Sequence, residues 1–172
     1  MEQTTTKYTI VSPEGIQING LQTGNIIGLH SLLKREGCVD SENLFSDDQK
    51  AVALDDVQIH LAKANKTDIK ASTDILLCIY KNKIFLAEAK FRVENVKNVS
   101  KREIEDKIAG SRDLIEDESF HVVPPLYLLF SSSVLKPTCK QARINELKKI
   151  FLSSPKYQFM TVAEFYNLFD YK

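Results

Sequence analysis

The 172-residue chain carries no net charge, no long apolar run and no closely spaced cysteine pair, and each absence removes a class of protein. With 23 basic side chains against 23 acidic ones, bulk electrostatics does not advertise nucleic-acid binding. The apolar runs, such as Ile75 to Tyr80 and Leu126 to Phe130, fall well short of the roughly 20 residues a membrane-spanning helix needs. Cys38, Cys78 and Cys139 are odd in number and far apart, which argues against a disulfide scaffold or a C-x-x-C zinc site. Cys78 reads as a small buried hydrophobe. There is no glycine-rich phosphate loop, and Ser131 to Ser133 lack the flanking glycines of a serine-hydrolase elbow. "MEQTTTKYTI" at the start has one lysine and no apolar segment, so export is not expected and a cytoplasmic location is.

What is present suits one soluble globular domain over residues 1–172, with 43% hydrophobic and 27% charged residues. Residues 1–25, with "SPEG", Gly20 and Gly24, read as an irregular or short-strand lead-in. "NIIGLHSLLKREG" has helical spacing, with Asn25 as its N-cap and Gly37 as its stop. A second helix is expected over Ser46 to Leu54, behind Asp47 and Asp48. The alternation in "VQIHLA" predicts a strand over Val57 to Ala62. "TDILLCIY" is apolar on both faces and predicts a central strand. It is joined to "IFLAEAKFR" by a turn too short for anything but an antiparallel hairpin.

Ser100 and Glu103 form an S-x-x-E capping signature for a helix with Ile104, Ile108 and Ile115 on one stripe. A buried strand follows the two prolines, then a helix closed by Pro155, a short strand, and a terminal helix capped at Thr161. This order predicts an α/β fold, more narrowly α+β, with a central mixed β-sheet flanked by helices.

Chemistry enters through strand parity. Glu88 and Lys90 share one face of their strand. A three-residue loop of Lys81, Asn82 and Lys83 would pair Tyr80 with Ile84, Leu76 with Glu88 and Asp74 with Lys90. Asp74, Glu88 and Lys90 would then converge. Two close carboxylates call for a cation, and oxygen donors suit Mg²⁺ or Mn²⁺, with the Ala89 carbonyl as a further ligand. Lys90 beside such a metal could orient or deprotonate a water for attack on a phosphate.

Thr73-Asp74, thirteen intervening residues and then Glu88-Ala89-Lys90, on adjacent strands with helices before and after, resemble the PD-(D/E)XK nuclease superfamily, the restriction-endonuclease-like fold. The likeness runs from the first helix to the strand at Leu126. It implies a Mg²⁺-dependent nuclease with Asp74 and Glu88 as metal ligands and Lys90 as the catalytic lysine, acting on DNA rather than RNA. Thr73 departs from the pattern, which has proline there. The helix after the E-x-K strand commonly supplies another polar residue, for which Lys101, Glu103 and Lys107 are candidates.

From Lys81 through Arg112 nine basic residues outnumber five acidic ones, and nucleic acid is expected over that segment. One small active site would need a homodimer or partner subunit to cut both strands of a duplex. The rival reading is a non-catalytic interaction module, such as an immunity or assembly protein, in which these charges are the solvated end of a hairpin. Glu36 could also reach the site. Asp68 reads as solvated, Asp55 and Asp56 as turn residues, and His30, His60 and His121 as packing or surface histidines.

Overall fold

A computed structural model of the protein describes residues 6–171. Its strands are β1 (Ile10–Val11), β2 (Ile26–Gly28), β3 (Lys50–Ala53), β4 (Ile75–Ile79), β5 (Lys83–Lys90), β6 (His121–Val122), β7 (Leu126–Phe130) and β8 (Tyr157–Thr161). The helices are α1 (Leu29–Arg35), α2 (Leu54–Asn65), α3 (Lys101–Leu114), α4 (Lys140–Ile150) and α5 (Val162–Tyr166). The strands form one mixed sheet in the order β2-β3-β4-β5-β7-β8. The β2 to β5 half is antiparallel, whereas β5, β7 and β8 run parallel. Each parallel step needs a crossover, and α3 and α4 supply them. Among the described residues no helix is long and apolar enough to cross a membrane.

Both faces of the sheet are covered, as the doubly apolar "ILLCI" of β4 requires, and all five of its residues are buried. Leu76, Cys78, Ile84 and Leu86 pack beneath α2, α3 and α4. Ile75, Leu77, Phe85 and Ala87 face α1 and α5. The second layer is rich in rings, with Phe85 against Tyr8, Tyr127 and Phe169 at centroid distances of 4.8, 5.3 and 6.2 Å. Each such side chain removed from water contributes about 1.5–3 kcal/mol.

Three expectations fail here, each for a local reason. Residues 46–54 do not form a helix: Lys50–Ala53 is strand β3, and Ala51, Val52 and Ala53 are completely buried. The carboxylate of Asp47 instead accepts the backbone N–H and hydroxyl of Ser31, each at 2.8 Å, near the start of α1. The strand expected at Val57–Ala62 is the middle of helix α2. Its buried residues Leu54, Val57, Gln58 and Ala62 follow the helical i, i+3, i+4, i+8 stripe, which the short alternation of Val57, Ile59 and Leu61 masked. Asn25 is not the N-cap of the first helix; Ile26–Gly28 is strand β2, and α1 starts at Leu29.

The later half follows its patterns closely. Ser100 accepts the Glu103 N–H at 3.2 Å to open α3, and Thr161 caps α5 with Glu164 answering in a reciprocal capping box. The hairpin between β4 and β5 also forms, with a corrected register. Ile79 pairs with Lys83 and Leu76 with Leu86, so its three-residue loop is Tyr80 to Asn82. Lys81 and Asn82 both adopt positive φ, 68° and 57°. The loop keeps its odd length but starts one residue earlier, so face parity survives. Asp74 therefore stands across from Glu88, and Lys90 lies one pleat further on.

Candidate functional site

Asp74 is the residue immediately before β4, and Glu88 lies in the last turn of the pleat in β5. Their backbones and side chains are laced together. The Asp74 N–H donates to Glu88 Oε2 at 3.2 Å, and the Ala89 N–H donates to Asp74 Oδ2 at 2.8 Å. Asp74 is 6% exposed and Glu88 only 1%, so neither carboxylate is solvated decoration. A residue in an antiparallel strand presents its N–H and C=O to the same edge. The Ala89 carbonyl accordingly faces the edge where Asp74 sits.

Two ammonium groups meet the same oxygen of Glu88. Lys90 Nζ is 3.2 Å from Oε1, and Lys107 Nζ is 2.6 Å from it. Lys90 also reaches Glu103 Oε1 at 3.4 Å. The three helix candidates thus separate: Lys107 enters the site, Glu103 borders it through Lys90, and Lys101 pairs along the helix with Glu105 at 3.5 Å.

The position of α3 that delivers Lys107 is set by close backbone contact. A Cβ on Gly110 would lie 1.8 Å from the Ala71 carbonyl oxygen, so only glycine lets the helix approach this far. The next residue, Ser111, accepts the Thr73 N–H at 2.8 Å, contacts the Thr73 hydroxyl at 3.0 Å, and donates to the Lys107 carbonyl at 2.8 Å. Gln58 of α2 donates to the Gly110 carbonyl at 3.4 Å. This gives a reason for threonine at position 73: proline has no N–H to offer Ser111.

Burial raises the proton affinity of Asp74 and Asp55. The Asp74 carboxyl is pushed up to about 6, first by burial and then by the charge of Glu88, while the Ala89 N–H and Lys107 pull it down. Asp55, in the first turn of α2, is likewise pushed up to about 6, mainly by burial and further by the neighbouring Asp74; its bond from the Ser72 hydroxyl at 2.8 Å works the other way. Burial works against the ammonium of Lys107, but the charges of Glu88, Asp74 and Asp55 outweigh it and raise its pKa.

Asp55 is the residue that sequence reasoning missed. Reading Val57–Ala62 as a strand put Asp55 in a turn, whereas the helical stripe of α2 would have placed an acid at its first turn. Glu36, at the end of α1, lies near enough for its charge to act on Asp74. Asp56 turns away to Arg35 at 2.8 Å, and Asp68 is exposed. His30 donates Nδ1–H to the Phe45 carbonyl at 2.8 Å, His60 pairs with Asn25 at 3.1 Å, and His121 is exposed on β6.

The basic segment does not form one surface. Lys81 and Lys83 belong to the hairpin end of β5, with Lys83 held 6.0 Å from the Tyr8 ring centre. Lys90 is at the other end of that strand, about 23 Å away at the usual rise per residue. From Lys90 onward, Lys90 and Lys107 contact Glu88, whereas Arg92 reaches the Arg35 carbonyl, Lys97 pairs with Glu146 and Lys101 with Glu105.

No family model, curated protein or solved structure matches the chain.

Proposed function

We propose that the protein is a divalent-cation-dependent nuclease of the restriction-endonuclease-like class that hydrolyses phosphodiester bonds, in DNA rather than RNA. The observation that carries this reading is the triad itself: the Asp74 N–H donates to the Glu88 carboxylate, the Ala89 N–H donates to the Asp74 carboxylate, and the Lys90 ammonium lies 3.2 Å from Glu88. The antiparallel β4 and β5 followed by a helical crossover to the parallel β7 support the same class.

The residues suit a hard cation. Asp74 and Glu88 offer carboxylate oxygens, the Ala89 carbonyl faces the same edge, and a cation would offset both the burial and the neighbouring Glu88 charge that raise the pKa of Asp74. Among the described residues no set of three or more His, Cys, Asp or Glu side chains forms a metal cage. Mg²⁺ is commonly held by one or two carboxylates, with water and phosphate completing the shell. Bound there, the cation would lower the pKa of a water and stabilise charge developing on the phosphate. Lys90, 14% exposed at the lip of the site, would orient the attacking water and hold the scissile phosphate against it.

One observation favours the rival, a non-catalytic interaction module on the same fold: both oxygens of Glu88 already have protein partners. Calorimetric titration of Mg²⁺ and Mn²⁺ into the protein, Asp74→Ala and Glu88→Ala separates the two, with plasmid and single-stranded DNA cleavage run on the same samples. Nuclease function requires cleavage by the unsubstituted protein that both variants lose. A folded protein that cuts neither substrate at millimolar Mn²⁺ favours the interaction module.

A further inference from the structure

Lys107 sits where the proposed function has most use for empty space. Its ammonium is 2.6 Å from Glu88 Oε1, closer than Lys90 on the same oxygen, and the remaining Glu88 oxygen accepts the Asp74 N–H. Oε1 of Glu88 thus carries two ammonium groups and Oε2 one N–H donor, and Lys107 is the nearer of the two charges that a cation would have to displace. The two lysines also differ in what pulls on them. Lys90 spans Glu88 and the half-exposed Glu103. Among the described residues Lys107 contacts Glu88 and no other acid, and the charges of Asp74 and Asp55 add a weaker pull on it.

We infer that Lys107 is a tethered counter-ion that competes with a divalent cation for the carboxylates of Asp74 and Glu88 and withdraws when the cation binds. This rests on the metal-dependent reading above and adds a competitor for its site. Mg²⁺ bonds oxygen at about 2.0–2.1 Å, so an ammonium and a doubly charged ion directed at the same carboxylate repel strongly. The exchange does not require α3 to move. Gly110 and Ser111 hold the helix backbone, while the lysine charge rides on a flexible four-carbon stem whose side chain is 18% exposed and so has a way out.

The arrangement has a chemical consequence. Lys90 and Lys107 offset part of the negative charge of the acids, and the same positive charge weakens cation affinity.

The test is Mn²⁺ affinity by calorimetry for the protein, Lys107→Met, Lys107→Gln and the control Lys101→Met, each checked for folding by circular dichroism. Lys107→Gln keeps a neutral donor to Glu88 if the methionine variant does not fold. The expected result is binding at least about tenfold tighter in the Lys107 variants, as removal of a contacting positive charge implies, and within twofold of the parent in Lys101→Met. Adding Asp74→Ala to the Lys107 variant should abolish the gain. Alongside, the side-chain NH₃⁺ resonance of Lys107 should shift on Mg²⁺ addition, whereas that of Lys101 should not.

Unchanged or weaker affinity in the Lys107 variants, with the parent still binding Mn²⁺ and cutting DNA, overturns the counter-ion role and leaves the nuclease reading standing. Absence of Mn²⁺ binding in the parent and the Lys107 variants alike overturns both. Binding that appears only on removing Lys107 supports the counter-ion role directly.

Discussion

The two faces of β5 differ sharply over a few residues. On the α1 and α5 side, Phe85 meets the rings of Tyr127 in β7 and of Phe169 just after α5, and the buried cluster of this layer is built from apolar and aromatic side chains. On the α3 side, Ile84 and Leu86 give way to Glu88 and Lys90, with Asp74, Asp55 and Lys107 gathered around them. One face is held by dispersion and apolar burial, which depend little on pH. The other confines like charges at close range, which lowers stability unless a proton or a cation intervenes. Such local cost is characteristic of sites whose geometry serves chemistry rather than folding.

The largest effect should come from the ring-rich face. Phe85→Ala is expected to lose about 3–5 kcal/mol of unfolding free energy in urea titration. The loss should be nearly equal at pH 5 and pH 7.5, because the rings that meet it, Tyr8, Tyr127 and Phe169, include no carboxyl or imidazole group; a strongly pH-dependent loss would erase the distinction between the faces.

Gly110→Ala probes the other face through its backbone. With the Ala71 carbonyl oxygen 1.8 Å from the new Cβ, α3 has to shift, and about 2–4 kcal/mol should be lost. Lys107 moves with the helix, so its side-chain NH₃⁺ resonance should also change. Stability equal to that of the parent would show that the approach of α3 is not held by this contact.

Asp74→Asn should give the smallest change, and a favourable one. A carboxyl with a folded pKa near 6 and an unfolded value near 3.9 binds its proton more tightly when folded. Its contribution to stability therefore declines as pH rises from about 4 to about 6 and stays low above that. The unsubstituted protein should melt higher at pH 5 than at pH 7.5. Asp74→Asn should gain about 1–2 kcal/mol at pH 7.5, or roughly 2–6 °C in Tm, with much less gain near pH 4. A loss at pH 7.5 would mean that Lys107 and the Ala89 N–H outweigh the crowding around Asp74.

Legibility in the sequence tracks how local each determinant is. The caps at Ser100 and Thr161 are contacts over three residues, and both form as read. The hairpin was legible too, because an odd loop length fixes which face each side chain takes, even though the loop starts one residue earlier than counted. Asp74 and Glu88 were found by that parity. Asp55 was not, since a five-residue alternation resembles a strand until the wider helical stripe is counted.

By itself the sequence determined the elements with strong short-range signals, the shared face of Asp74, Glu88 and Lys90, and the apolar character of the central strands. The fold of the chain decided the rest. Which of Lys101, Glu103 and Lys107 enters the site depends on how closely α3 approaches Ala71 and Thr73, some thirty to forty residues earlier in the chain. The division of the basic segment between the two ends of β5 likewise follows from strand direction rather than sequence proximity. Proton affinities near 6 for Asp55 and Asp74 arise from burial and from charges brought in by other elements, quantities that exist only once the chain has packed.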